Sequence, residues 1–220
     1  DKTEDEWLRF IVKSSNDMSR DIPDYDEFKR KGIYKIPLKG PLVAFEKQIQ
    51  DPRNNPFPTP SGKIEIYCQR LAELNNPQCP PIPKYIEPLE GPCDPLAKKY
   101  PLQLITSHFK LRAHSTFNNI PWLREIETQA LLINSVDANA RRIRDGDLVR
   151  VFNDRGQVVI TAKVTERIMP GVVDLPEGGW YHPDEHGLDS GGCPNVLTSD
   201  EISPGGALIS NTSLVQVEKA

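Results

Sequence analysis

The sequence predicts a mainly β fold, a small closed or half-closed barrel of six strands with short helices, preceded by an irregular and partly helical N-terminal segment. Two observations predict it. Of the 21 prolines, eight lie between Pro77 and Pro101, which is typical of an extended connector rather than a core. After this connector come six short segments, rich in β-branched residues and bounded by turn residues. The predicted strands are 102–106, 130–134, 147–153, 157–164, 171–175 and 213–217.

The longest predicted strand, QVVITAKV at 157–164, alternates apolar and polar residues, so that one of its faces is buried. The preceding NDRG, 153–156, predicts a tight hairpin turn in which Gly156 supplies a positive φ. Between the second and third strands, SVDANARRIRDG predicts a helix of one or two turns. Asn134 or Ser135 is expected to cap it, and Asp145-Gly146 to end it.

The first hundred residues predict isolated elements rather than a core. Helices are expected in DEWLRFIVKSS, around Asp24 to Lys31, and from Gln69 to Leu74, and the alternation of Ile64 and Ile66 predicts a strand. The chain starts without Met, in what looks like a helix, which suggests a fragment of a longer protein. The predicted division is 1–76 as a tail of a preceding domain with a connecting strand and helix, 77–100 as the connector, and 101–220 as the barrel.

Composition argues against several classes of protein. A formal net charge of −4 gives no long-range attraction to nucleic acid or an anionic membrane, and no apolar run approaches the roughly 18 residues of a membrane span. The wide spacing of Cys68, Cys79, Cys93 and Cys193 fits no zinc or iron–sulfur motif, and the sequence leaves their roles and the redox compartment open.

SHFKLRAHS, residues 107–115, carries two of the four histidines. On a strand, His108 and His114 would share a face about 20 Å apart, so that one ion could not bind both. If the chain leaves the strand after Thr106, no distance can be argued. Ordinary surface histidines and a polar loop that contacts a ligand both remain open, and a metal site is not expected.

Two further loops contain groups that could bind a ligand. GGWYHPDEHGLDSGG holds His182 and His186 and is expected to be a surface loop anchored by aromatic residues. CPNVLTSD, 193–200, offers hydrogen-bonding groups at Asn195 and Thr198, although the residues alone favour a turn leading into a helix capped at Thr198 or Ser199. Cys193 is expected to be a packed thiol rather than a reactive one.

The order of these motifs carries a family resemblance. SHFKLRAHS, then INSVDANARRIRDGDLVRVFNDRGQVVITAKVTERIMPGVVDLPEGGWYHP, then NVLT resembles the C-terminal molybdopterin dinucleotide-binding domain of the dimethyl sulfoxide reductase family of molybdenum oxidoreductases. TPSGKIEIY, 59–67, extends the resemblance to about residues 57–220. It implies a six-stranded double-psi β-barrel.

The resemblance also implies a binding site. His108, Arg112, His114 and Ser115 match loop residues that contact pterin and phosphate, with Arg112 suited to a forked contact with pyrophosphate. Asn195 is the implied pterin-facing amide, and Thr198 accompanies it. Asn134 and Asp137 are further candidates, although Asp137 is expected to orient backbone at the helix start. No catalytic residue and no metal ligand is expected in this chain.

One departure from the family pattern concerns a single residue. Arg142 stands before Ile143 where the family often has glycine. If this position requires a positive φ, a residue other than glycine costs on the order of 1 kcal/mol, and the turn is then expected to differ locally.

For the parent protein, the resemblance implies bis(molybdopterin guanine dinucleotide) with molybdenum, reduction of S- or N-oxides such as dimethyl sulfoxide by oxygen-atom transfer in anaerobic respiration, and an iron–sulfur cluster in an N-terminal part. Implied partners are the other domains of the catalytic subunit, an iron–sulfur electron-transfer subunit and a membrane anchor, with a periplasmic or outward-facing location. The chain alone is expected to be inactive, without direct membrane insertion or nucleic-acid binding. A free-standing double-psi barrel that acts as a binding module is the alternative, and the sequence does not identify the oxide.

Overall fold

The computed structural model describes residues 1–19, 22–37 and 40–220. Within them the chain forms two compact units, Asp1–Glu65 and Ile66–Ala220. The predicted three-part division remains a prediction, since the unit boundary at 65/66 does not identify a parent domain. Among the described residues, every helix is too short or too polar to cross a bilayer.

The described residues of the first unit form three helices, α1 (Glu4–Ser19), α2 (Tyr25–Lys31) and α3 (Glu46–Gln50). The first two confirm the predicted helices, and Asp24 caps α2 by accepting the N–H of Glu27. Asp5 on α1 accepts hydrogen bonds from Lys29 and the Tyr25 hydroxyl, each at 2.7 Å. The Lys29 ammonium, and then Tyr25, lower the pKa of Asp5 to about 2.

At the start of the second unit, α4 (Gln69–Leu74) confirms the predicted helix. The strand predicted at Ile64 and Ile66 is wrong, since neither residue pairs with a strand and their side chains are 70% and 77% exposed. Thr59 instead donates its hydroxyl to the carbonyl of Lys63, and Phe57 donates its N–H to Gly62. These bonds fold the segment before Ile64 into turns. The alternating residues Ile64 and Ile66 therefore have no neighbouring strand in the described part of the chain to pair with.

The barrel lies in the second unit. Its strands are β1 (Leu102–Ile105), β2 (Leu131–Ile133), β3 (Leu148–Phe152), β4 (Gln157–Val164), β5 (Val172–Asp174), β6 (Leu188–Asp189) and β7 (Ser213–Lys219). Six of them pair in the cyclic order β2-β5-β1-β7-β3-β4 and back to β2, and β6 pairs with the start of β4. β1 pairs with β5 and β2 with β4 in parallel, whereas the other four pairings of the ring are antiparallel. The predicted closed six-stranded barrel is confirmed, and β6 is additional.

Along β1, β2, β3 and most of β4, buried residues alternate with more exposed ones, as the period of a strand requires. On β4 the buried set is Val158, Ile160 and Ala162, which confirms the predicted inner face there. Side chains from outside the strands complete the core. They are Ala138, Ile143, Leu175 and Leu197.

Two short helices connect the first strands, α5 (Pro121–Ile126) and α6 (Ser135–Ala140). Asn134 caps α6, as predicted, because its Oδ1 accepts the N–H of Val136 at 2.9 Å. The helix ends at Ala140 and not at Asp145-Gly146, since the chain turns through Arg142 at a φ of 59°. The position does adopt the left-handed conformation, although it carries arginine.

The hairpin between β3 and β4 lies at 153–156, as predicted, and Asn153 donates its N–H to the carbonyl of Gly156 at 3.1 Å. The predicted positive φ at Gly156 is wrong. A Cβ on Gly156 would lie 2.7 Å from the carbonyl oxygen of Val196. Glycine is required here because another loop packs directly on the hairpin.

The proline-rich connector is bound to the barrel through a few side chains. The Glu90 carboxylate accepts two hydrogen bonds from Arg155, at 2.7 and 2.8 Å, and a third from the N–H of Leu214. Asp154 of the hairpin accepts from Lys99 and from the Tyr100 hydroxyl. The connector and the hairpin therefore form one surface beside β7.

Candidate functional site

Strand directions bring three loops to one end of the barrel. Because β1 and β5 are parallel, the segments that follow them, 106–120 and 175–187, leave the barrel at the same end. The short strand β6 pairs with the first residues of β4, which also begins at this end, so that 190–198 joins them. We call these three segments the loop end.

The backbones of the loop end contact each other directly. A Cβ on Gly178 would lie 1.9 Å from the carbonyl oxygen of His114, and a Cβ on Gly191 would lie 1.7 Å from that of Trp180. The Trp180 indole donates to the carbonyl of Ser115 at 2.9 Å, as expected of an anchoring aromatic residue. Glycines thus allow three loops to pack into one layer.

Gln129, just before β2, joins all three loops. Its Nε2 donates to the carbonyls of Pro176 and Gly192 at 2.7 and 2.8 Å, and its Oε1 accepts from Arg112 at 2.8 Å. Sequence reasoning missed Gln129, because a glutamine before a strand has no signal that distinguishes it from a solvated residue.

Arg112 is bound within the loop end. Its other contacts are the side-chain oxygen of Asn118 at 2.6 Å and the carbonyl of Glu177 at 2.9 Å. Burial, and then the charge of Arg124, lower the pKa of Arg112. Its Nε is buried and has no partner within the described residues. Both terminal nitrogens are therefore engaged by the protein, and the forked contact with pyrophosphate remains a prediction.

His108 and His114 lie side by side. Their ring centroids are 5.1 Å apart, and His108 Nε2 and His114 Nδ1 lie 2.9 and 2.8 Å from the same carboxylate oxygen of Glu177. The separation of about 20 Å expected on a strand is wrong. The chain leaves β1 after Ile105 and turns through His114 at a φ of 52°. The sequence had left this alternative open.

The two imidazoles face solvent, with the His108 and His114 side chains 72% and 76% exposed. Their contacts with Glu177 leave Nδ1 of His108 and Nε2 of His114 without a partner in the described part of the chain. Glu177 was missed from the sequence, since an acidic residue before Gly178-Gly179 is equally typical of a solvated loop.

Asn195 and Thr198 lie in the third loop. Pro194–Val196 forms a single 3₁₀ turn with Asn195 exposed, and the Thr198 hydroxyl donates to the Asn195 carbonyl at 3.4 Å. The alternative prediction of a helix capped at Thr198 or Ser199 is wrong, because no helix follows. Leu197 is fully buried and fixes this loop to the core.

The buried carboxylate of Asp189 holds the start of the third loop. It accepts the N–H groups of His182, Gly191 and Cys193 at 2.7, 3.0 and 2.7 Å. The four cysteines are free thiols, and burial raises the pKa of Cys193, which favours the protonated and unreactive form.

Asn134 and Asp137 lie at the opposite end of the barrel. β2 is antiparallel to β5, so that the chain leaving β2 is directed away from the loop end. Asn134 is 3% exposed and donates to the carbonyl of Ile168 at 2.7 Å, and Asp137 accepts the N–H of Gly171 at 2.7 Å. The structure therefore does not bring these two candidates together with the other six.

A cavity of about 350 Å³ opens beside Arg112. Phe109, Leu111 and Leu123 provide apolar walls, and Asn118, Arg124 and Gln129 provide polar groups. A largely apolar cavity with a few convergent polar groups is a common form of small-molecule site.

A loop end that combines outward imidazoles, exposed amides and such a cavity fits a polar heterocyclic ligand, and comparison with known proteins agrees. The family model described as "Molydopterin dinucleotide binding domain" matches residues 102–211, so the chain belongs to the family of molybdopterin dinucleotide-binding domains.

The similarity to known proteins extends beyond the barrel. The chain is 46% identical over 227 residues to "Dimethyl sulfoxide reductase DmsA" of Escherichia coli (strain K12), covering 99% of this chain and 28% of that protein. It is 40% identical over 199 residues to "Dimethyl sulfoxide/trimethylamine N-oxide reductase" of Cereibacter sphaeroides, covering 86% of this chain and 24% of that protein. The chain therefore spans about a quarter of the length of these relatives.

Among solved structures, "Acetylene Hydratase from Pelobacter acetylenicus" superposes with a TM-score of 0.68 at 22% identity, covering 90% of this chain and 28% of that one. This similarity shows the fold.

Proposed function

We propose that the chain is the cofactor-binding domain of a molybdenum oxidoreductase catalytic subunit, and that its loop end faces the cofactor. The observation that carries the proposal is the packing of three loops at one end of the barrel, with exposed donors and acceptors on their surface. The similarity to dimethyl sulfoxide reductases over nearly the whole chain favours this function over a free-standing barrel module.

In this proposal the direct contacts come from His108, His114, Ser115, Asn195 and Thr198. Glu177 holds one nitrogen of each imidazole and directs the other outward. An edge of a pterin alternates hydrogen-bond donors and acceptors, which imidazole, amide and hydroxyl groups can match.

Three candidates act mainly through the fold. Arg112 has both terminal nitrogens engaged by the protein and positions the loops. Asn134 and Asp137 fix α6 and the turn at Gly171, on the far side of the barrel.

The bound group proposed for the parent protein is bis(molybdopterin guanine dinucleotide) with molybdenum, which supplies two-electron oxygen-atom transfer. The reaction converts an S- or N-oxide, two protons and two electrons into the reduced compound and water. The residues described here bind and orient the cofactor, and since the chain supplies only part of the site, its own affinity for the cofactor is expected to be low.

Other features of the parent protein are part of the same proposal and come from the family resemblance of the sequence. We propose an iron–sulfur cluster in an N-terminal part, an iron–sulfur electron-transfer subunit and a membrane anchor as partners, and a periplasmic or outward-facing location. The oxide is an S- or N-oxide of the kind that the relatives are named for.

The test uses the full-length enzyme. His114→Ala and Asn195→Ala each remove an exposed polar group from the loop end, and we expect bound molybdenum per protein to fall at least several-fold. Thermal unfolding of the barrel should stay unchanged, because both side chains are exposed. His186→Ala, another exposed histidine, is the matched control and should retain its molybdenum. Full molybdenum content and full turnover in both variants would contradict the proposal.

A further inference from the structure

The cluster of His108, His114 and Glu177 has the composition of a metal site. His108 Nε2, His114 Nδ1 and a Glu177 carboxylate oxygen all lie within 4.8 Å of one another, and no other such cluster occurs in the described part of the chain. Imidazole nitrogen and carboxylate oxygen are zinc ligands, and three protein ligands with an open fourth position are typical of zinc sites that also bind a small molecule. We propose that these three residues bind one divalent transition-metal ion such as Zn²⁺.

The ligand distances are close to those that an ion requires. The two nitrogens already lie 2.9 and 2.8 Å from the carboxylate oxygen. In a tetrahedral zinc site with bonds of about 2.0–2.1 Å, neighbouring ligand atoms are about 3.3 Å apart. The two nitrogens lie within 4.8 Å of each other, so that an ion fits after small movements of the two exposed imidazoles.

The backbones that carry the ligands are fixed without a metal. The N–H of Glu177 donates to the carbonyl of Ser107 at 2.8 Å, and the Ser107 hydroxyl and N–H both donate to the Asp174 carboxylate, at 2.6 and 3.0 Å. Close packing of Gly178 against the His114 carbonyl fixes the backbone that carries the third ligand, His114. Binding thus orders only three side chains rather than two loops, which lowers its entropic cost.

The chemistry of the cluster favours a cation. Two imidazoles share one carboxylate oxygen, so that a single acceptor serves two ring nitrogens. A divalent ion replaces both contacts with direct bonds to three ligands and neutralises the carboxylate. The proposal does not rest on the proposed function, since the ion takes the ring nitrogens that face Glu177 and leaves the outward ones unchanged.

The test is titration of the 220-residue chain with Zn²⁺ by calorimetry and with Co²⁺ by visible absorption. We expect one equivalent per chain and cobalt d–d bands without a thiolate charge-transfer band, since the ligands are nitrogen and oxygen. His108→Ala, His114→Ala and Glu177→Gln should each weaken binding at least about tenfold. His186→Ala is the matched control, because His186 lies 3.5 Å from Glu185 without a third ligand, and Cys193→Ser controls for binding by a free thiol.

Circular dichroism of each metal-free variant establishes that it is folded. The proposal is overturned if binding does not saturate at one equivalent, if a thiolate band dominates, or if Glu177→Gln binds as tightly as the unchanged chain. None of these outcomes affects the test of the proposed function, which measures molybdenum in the full-length enzyme with His114→Ala and Asn195→Ala.

Discussion

Arg142 is held in the left-handed conformation by the packing of its neighbour. Ile143 is 3% exposed in the core, and its N–H donates to the carbonyl of Ala138 at 2.9 Å, so the chain must turn sharply between them. Arg142 itself is exposed, with a φ of 59°. Arg142 therefore carries the conformational cost of a Cβ at positive φ.

Arg142→Gly should raise the free energy of unfolding by up to about 1 kcal/mol, because glycine adopts a positive φ without the Cβ clash. Urea denaturation of both chains measures the difference. Arg144→Gly is the matched control at an exposed arginine whose φ is not positive, and it should lower stability. A loss of stability in both variants would contradict the explanation.

Single residues set the limit of what the sequence could predict here. The glycine in NDRG indicates a turn, but the sequence does not show whether glycine is needed for a positive φ or for the close approach of another loop. At Gly156 the close approach is the reason. The distance between His108 and His114 depends on the turn at His114, and the contact of both with Glu177 joins residues more than 60 positions apart.

At the scale of elements, the contact between the connector and the β3–β4 hairpin depends on charge. The Lys99 ammonium, and then the Tyr100 hydroxyl, lower the pKa of Asp154. A carboxyl whose pKa is lower in the folded state stabilises the fold at neutral pH, and this contribution is lost as the pH falls through the folded value. Because the pair is exposed, salt should weaken it.

Asp154→Asn should therefore lower stability at neutral pH, and its difference from the unchanged chain should shrink as the solution is acidified below the ordinary aspartate pKa. Urea denaturation at neutral and acidic pH measures this difference. In a Lys99→Met background, the pH-dependent part of the difference should be reduced, since the main cause of the pKa shift is gone. A difference that stays constant across the pH range would refute the role of the carboxylate.

The elements that the sequence predicted well are those with a local signal. All six barrel strands and α6 have their own alternation, turn residues or cap, and each begins within a few residues of its predicted start, although α6 ends earlier than predicted. The strand predicted at Ile64 and Ile66 failed because alternation shows only that a strand could form. Whether another strand lies beside it depends on distant parts of the chain.

At the scale of the whole molecule, the two units differ in their cores. In the described part of the first unit, Tyr25 is the buried hydrophobic residue, whereas the other buried hydrophobic residues lie between Tyr100 and Val217. A unit with so little buried apolar surface contributes little cooperative stability.

A chain of residues 66–220 should therefore unfold cooperatively, with a thermal midpoint within about 2–4 °C of that of the whole chain, roughly the shift that 1 kcal/mol produces at this size. Circular dichroism on heating compares the two. Residues 1–65 alone should show no cooperative transition. A midpoint for 66–220 that is lower by ten degrees or more would instead indicate that the first unit stabilises the barrel.

The residues alone predicted a small barrel, and the order of motifs added its family. Neither the residues nor the order of motifs predicted which strands pair in parallel. The direction of each strand determines which loops lie at the same end of the barrel. The separation of Asn134 and Asp137 from the other six candidates follows from that topology. The contacts that Gln129 and Glu177 make between the loops of the loop end also follow from it. Local patterns cannot show such arrangements, because they depend on the closure of the ring.

The closed ring also governs how the domain can associate with other proteins. Each of its six strands has a paired strand on both sides, and β6 adds only Leu188–Asp189 beside β4. The unpaired N–H and C=O groups of an edge strand can pair with a strand of another chain, and aggregation is a common result. Within its described part, this barrel gives such a strand no edge of useful length, so that a binding partner must contact its loops and outward side chains.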